Sequence, residues 1–442
     1  MKLTQTIGIA AALALLGACG NREVILEGER IDVRDSLLTS TDAAADATAE
    51  PVVAAALKLP AQESLTDWTQ TSGSSGHRPV HHAYAGDGAL IWSANIGAGN
   101  SNKYRISSDP VVAEGRIFTV DAQSRVMAHS TAGAALWSVE LVPPSDSVND
   151  ATGGAVAYGD GRVFVTTGFG QLTALDPATG AVLWEQDTDA VMTGAPTYRD
   201  GIVYVVARDN SAWAIRAEDG RVQWQLPGTP SPSGVIGGAA PALTDRLAVF
   251  PFGSAELTAT LRKSGIRVWS SAISGQRRGR VYATISDITG DPVVDGDVIY
   301  VATPSGRTVA LKAAGGDRIW TAEVGSYSPV LPIDGAVFLV SDDAKLTRLD
   351  GKTGQVVWAV DLPYFTKEKL KKRKEVHAHF GPVMANGRLI VASDDGLIRF
   401  FAPDTGALIG TANIPGGAAS EPVIAGGVMY ILGGKGQLHA FR

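Results

Sequence analysis

The sequence predicts an all-β chain, an eight-bladed β-propeller closed by an N-terminal strand that completes the last blade, and three observations predict it. A Gly-x-x-x-Trp signature recurs along the chain, its period is close to 45 residues, and glycine supplies 51 of the 442 residues, well above the usual ~7%. A period near 45 is that of one four-stranded blade. The glycine excess marks many turns and hence many short strands.

The first residues stand apart from this pattern. Lys2, an apolar run from Ile7 to Leu16, and the small-residue site Gly17-Ala18-Cys19 read as a secretory signal over residues 1–18. The run is about ten residues, half of what a membrane-spanning helix needs. Leu16-Gly17-Ala18-Cys19 is similar to the bacterial lipobox, which implies lipidation (palmitate) of Cys19. Gly20 rather than Asp follows the cysteine, so the resemblance implies the outer membrane, periplasmic face. Residues 19–64 are expected as a disordered tether, because Thr41 to Pro51 has almost no side chain able to offset ordering entropy.

Residues 65–442 are expected to form the propeller. The signature pairs are Gly88/Trp92, Gly133/Trp137, Gly180/Trp184, Gly220/Trp224, Gly265/Trp269, Gly316/Trp320 and Gly354/Trp358. An eighth copy, Gly406 to Gly410, keeps the glycine and loses the tryptophan. The seven tryptophans read as packing between blades rather than as a ligand-stacking set, since buried aromatics dominate core energetics. Blade openings recur at Pro110, Ala155, Pro196, Pro241, Pro292, Pro329, Pro382 and Pro422. The last blade lacks its outer strand, and Gly88 to Trp92 is a strand without preceding partners. Joining the two closes the ring and leaves no long exposed edge.

Composition excludes several classes of function. A net charge of −7 opposes general binding to nucleic acid. A single cysteine can neither close an intrachain disulfide nor build a thiolate zinc site. Nucleophile-elbow, P-loop and dinucleotide glycine motifs are absent. His77, His81 and His82 form a histidine cluster that reads as solvated rather than metal-binding, and His377 and His379 read the same way. No metal and no cofactor is expected.

Ala174 to Trp184 and Arg348 to Trp358 resemble the tryptophan-docking repeat of quinoprotein-type propellers over residues 88–442. Two branches of that superfamily compete. The enzymatic branch, periplasmic quinone-dependent dehydrogenases, implies pyrroloquinoline quinone and calcium on the propeller axis and, in the alcohol dehydrogenases, a disulfide of adjacent cysteines. This chain has no cysteines for that disulfide and no long insertions to enclose a cofactor. The other branch is the BamB-type lipoprotein, a non-enzymatic member of the β-barrel assembly machinery. Lipobox, tether and eight compact blades in that order resemble it, as does Asp67-Trp68-Thr69-Gln70 followed by Gly76-His77.

The resemblance implies a scaffold that binds BamA, works beside other subunits of the complex and assists insertion of unfolded barrel proteins into the outer membrane. It also implies that the BamA face lies on loops ahead of the fourth and fifth blades, here residues 233–238 and 285–289. Val235 and Ile236 stand where a Leu and an Arg are expected, Asp287 falls on an acidic position, and Thr289 replaces a second acid. Arg277 and Arg278, just ahead of the second loop, are further partner-contact candidates, preferred over the basic run at 367–374, which reads as a solvated loop.

Overall fold

The computed structural model describes residues 56–442 apart from 79, 189, 193, 232–236 and 276–286. Eight four-stranded antiparallel sheets follow one another along the described chain. Blade 1 comprises β2 (Val111–Ala113), β3 (Arg116–Val120), β4 (Arg125–Ser130) and β5 (Ala135–Glu140). Blade 2 holds β6–β9 (154–187), blade 3 β10–β13 (197–227), blade 4 β14–β17 (242–272), blade 5 β18–β21 (293–322), blade 6 β22–β25 (331–361) and blade 7 β26–β29 (379–413). Blade 8 combines β30 (Val423–Ala425), β31 (Val428–Gly433) and β32 (Gln437–Phe441) with β1 (Leu90–Asn95). Its order is β1-β32-β31-β30, so the N-terminal strand closes the ring as the sequence implied.

Strand composition follows position within the blade. Second and third strands are covered by a neighbouring blade on each face and read as near-continuous apolar runs, as in Val163-Phe164-Val165, all fully buried. The outer strands alternate, with the exposed residues facing solvent.

In every blade the register between third and fourth strands slips by one residue, always next to the signature position. In blade 1, Ala128 pairs with Trp137 and His129 with Ala135, leaving Leu136 as the extra residue of a bulge. Such a bulge bends the strand and re-aims its side chains. Here it turns the tryptophan toward the next blade.

The tryptophan then lies on the signature glycine of that next blade. Gly220 has φ +75°, and a Cβ built on it would sit 2.7 Å from Cε3 of Trp184. The left-handed backbone and the ring contact both demand glycine there. The indole N–H of Trp184 donates to the carbonyl of Ala217 at 2.9 Å, and Trp137, Trp224, Trp269 and Trp320 donate equivalently to Pro177, Arg262, Ala313 and Gly351. Trp92 and Trp358 pack on Gly133 and Gly406 in the same way. Each of the seven tryptophans thus lies at a joint between consecutive blades.

The joint between blades 7 and 8 lacks the tryptophan. A Cβ on Gly88 would fall 2.6 Å from Cβ of Ala412 and 3.2 Å from Cζ of Phe400. Phe400, on the third strand of blade 7, fills the space opened by Gly410, and the Arg388 guanidinium caps its ring at 4.7 Å.

A strap formed by residues 57–88 runs across one end of the propeller and touches every blade. Trp68 bridges Val112, Thr69 accepts from the Tyr158 N–H, Gln70 from Tyr198, Ser75 from Leu243 and Gly76 from Val294. Lys58 N–H donates to Asp334, His82 N–H to the Met384 carbonyl, and Leu65 accepts from Gly426. Residues 57–64 were expected to belong to the tether. Leu57 and Leu59 instead pack against the core between blades 6 and 7, so the strap begins before residue 60.

The three strap histidines correct a second expectation. His77, His81 and His82 are 1%, 6% and 3% exposed rather than solvated. His77 Nδ1 meets the Pro292 carbonyl at 2.9 Å, His81 Nδ1 meets that of Pro60 at 2.7 Å, and the ring of His82 lies 4.9 Å from that of Trp68. Burial pushes His77 and His82 down to about 4, which keeps both neutral at pH 7.

Candidate partner-binding face

The blade openings lie before the first strands and the strap contacts at or beyond them, so the openings gather at the end of the axis opposite the strap, the funnel end. The openings surround an axial cavity of about 790 Å³ whose wall includes strap residue Thr71. Its other lining residues include Ser107, Gly237, Gly238, Thr289, Tyr327, Tyr364 and His377.

Three acids from the blade openings converge on this cavity. Asp109, Asp291 and Glu421 each precede the proline that opens blades 1, 5 and 8. Each stitches its blade to the previous one. Asp109 Oδ1 accepts from the Glu421 N–H at 2.8 Å, Asp291 Oδ1 from the Ala240 N–H at 2.6 Å, and Glu421 from the Gly381 N–H. Burial pushes Asp109 and Asp291 up to about 7. It raises Glu421 as well, and the charges of Asp109 and Asp291 raise it further. The sequence reading missed these acids, although a carboxyl before the opening proline in three copies of one repeat was the available signal.

The candidate partner loops reach the same cavity. Gly237 and Gly238 from the loop ahead of blade 4 and Thr289 from the loop ahead of blade 5 share its wall. Asp287 is 7% exposed, and a Cβ on Gly253 would lie 2.8 Å from its Oδ1. Its carboxylate is therefore turned inward rather than displayed to a partner. Val235, Ile236, Arg277, Arg278 and Cys19 lie outside the described residues.

His377 and His379 also stand on the wall, and neither is simply solvated. His377 Nδ1 meets Asp394 Oδ1 at 2.6 Å, while His379 Nδ1 meets Ser393 Oγ at 2.6 Å and its Nε2 the Pro363 carbonyl at 2.8 Å. Both are held by neighbours in blade 7 and its lead-in. Among the described residues no group of three or more His, Cys, Asp or Glu side chains is arranged to hold a metal ion.

With fold and funnel in place, comparison with known proteins separates the two branches. A sequence model of the family described as outer membrane protein assembly factor BamB matches residues 122–360. The chain belongs to the BamB family. The BamB proteins of Yersinia pestis and Escherichia coli K12 are each 24% identical to it, over 79% of this chain and 88% and 87% of their own. The crystal structure of BamB from Moraxella catarrhalis has a TM-score of 0.64 at 17% identity, covering 80% of this chain and 99% of that one. The quinohemoprotein alcohol dehydrogenase of Comamonas testosteroni has a TM-score of 0.64 at 16% identity, over 85% of this chain and 80% of its own. At that identity the likeness to the dehydrogenase shows a shared fold alone. BamB-family membership makes the chain an outer membrane protein assembly factor rather than a dehydrogenase.

Proposed function

We propose that this protein is a scaffold of the β-barrel assembly complex, anchored through lipidated Cys19 to the periplasmic leaflet of the outer membrane, that holds BamA at the mouth of its axial funnel. The observation that carries the reading is the meeting of the two candidate loops, through Gly237, Gly238 and Thr289, on one cavity wall. Val235, Ile236, Arg277 and Arg278 are kept as partner-contact candidates on sequence grounds alone, and Asp287 shapes its loop from within. The outer strands supply a second surface. Ile91, Leu136, Leu183, Ile319 and Ile409, the extra residues of their bulges, are 43–54% exposed beside strand edges. Unfolded barrel strands pair with such edges by β-augmentation.

Depletion of the protein tests the scaffold reading. Outer-membrane barrel proteins should fall in abundance, and a tagged copy should co-purify with BamA. Unchanged barrel levels together with no recovery of BamA reject it. A Cys19→Ser chain should leave the membrane on a salt wash; retention rejects the anchor.

A further inference from the structure

The basic run at 367–374 is an ordered hairpin on the funnel mouth. Phe365 bridges Val376 antiparallel, the Thr366 N–H donates to Glu375 at 3.1 Å, and the His377 N–H donates to Tyr364 at 2.8 Å. At the tip, Leu370–Lys372 form a 3-10 turn. Arg373 is spent on the hairpin itself, its guanidinium 4.8 Å from the centre of the Phe365 ring and 3.2 Å from Glu368. Five lysines remain, at 367, 369, 371, 372 and 374, all exposed and without an ion pair among the described residues. Residues 367–374 carry a net +5 on a chain of net −7. Leu370 projects from their midst at 81% exposure.

We infer that this hairpin is a second, electropositive arm of the partner-binding face, recognising an acidic protein surface on the partner held at the funnel. The inference rests on the proposed BamA reading and adds the chemistry of a contact to it. Position favours a protein over a bilayer: Tyr364, Val376 and His377, at the base of the hairpin, share the cavity wall with Gly238 and Thr289. A partner seated on those loops lies beside the lysines. The fixed hairpin backbone lets the lysine cluster meet carboxylates at low ordering cost, with Leu370 as an apolar contact within the charged patch. Charges so placed raise the association rate and make it salt-dependent.

The test is binding of the lipidated full chain, in neutral detergent, to the periplasmic region of BamA at 50 and 300 mM salt. Lys369→Glu/Lys371→Glu/Lys372→Glu should weaken binding at least tenfold at low salt and flatten the salt dependence. The same three positions changed to Arg should bind as the parent does. Thr289→Arg should weaken binding with the salt dependence intact. These tip residues are exposed, so an unchanged melting curve is expected and separates binding from folding. Parent-like affinity and salt dependence in the Glu variant overturn the inference and leave the funnel reading standing. No binding by the parent chain overturns both. Unchanged BamA binding with lost retention on phosphatidylglycerol vesicles overturns it in favour of a membrane contact.

Discussion

Asp291 exchanges water for a buried site with one backbone N–H when the ring closes, and burial pushes its pKa up to about 7 although the Ala240 N–H opposes the rise. The sign of the consequence follows from linkage. Below pH 4 the carboxyl is protonated in both the folded and the unfolded chain. Between about 4 and 7 the folded chain keeps a proton that the unfolded chain loses, so this group's contribution to stability falls as pH rises and stays low above 7. Asp291→Asn keeps an acceptor for the Ala240 N–H and removes the ionisation. The variant should be more stable than the parent by about 4 kcal/mol at pH 8 and by only about 1 kcal/mol at pH 4.5. Urea unfolding at the two pH values checks this. At this scale the sequence was least legible: it displayed the acids and the strap histidines but not their surroundings. Burial of His77, His81 and His82 depends on blades 5 and 7, hundreds of residues away in the chain, and Asp287 turns inward because Gly253 leaves room for it.

The recurring element is a strand, a bulge, a tryptophan and the next blade's glycine. Trp184→Ala removes an indole that packs on Gly220 and donates to Ala217, and should cost roughly 3–5 kcal/mol in denaturant unfolding. Gly220→Ala places a Cβ 2.7 Å from the same ring on a backbone of φ +75°. It should destabilise by more than the ~1 kcal/mol that the left-handed conformation alone demands. Gly161→Ala, at φ +66° with nothing within 4 Å of the added atom, is the control and should show the backbone cost only. This element was the most legible part of the sequence, because seven copies display its spacing. The bulge was not legible, since one extra residue per outer strand is visible only against the register of its partner. Nor was the use of Phe400 at the eighth joint, where the ring arrives from a different strand.

At the scale of the molecule, one end of the axis is covered by the strap and the other opens as the funnel, and the partner face is assigned to the open end. Blade count and closure followed from the repeat. The strap reaching all eight blades did not, because its contacts are single backbone bonds that leave no periodic trace. Removing residues 65–97 deletes both most of the strap and the strand that closes blade 8. It should abolish cooperative unfolding of the whole ring rather than lower the melting point slightly, and calorimetry distinguishes the two. The proposed docking of BamA at the funnel can be checked by site-specific photo-crosslinking in cells, with the crosslinker placed at Thr289 or Tyr327 on the funnel and at Leu408 on the outer rim. Docking at the funnel gives adducts with BamA from the two funnel positions and none from position 408. BamA adducts from the rim with none from the funnel would contradict it.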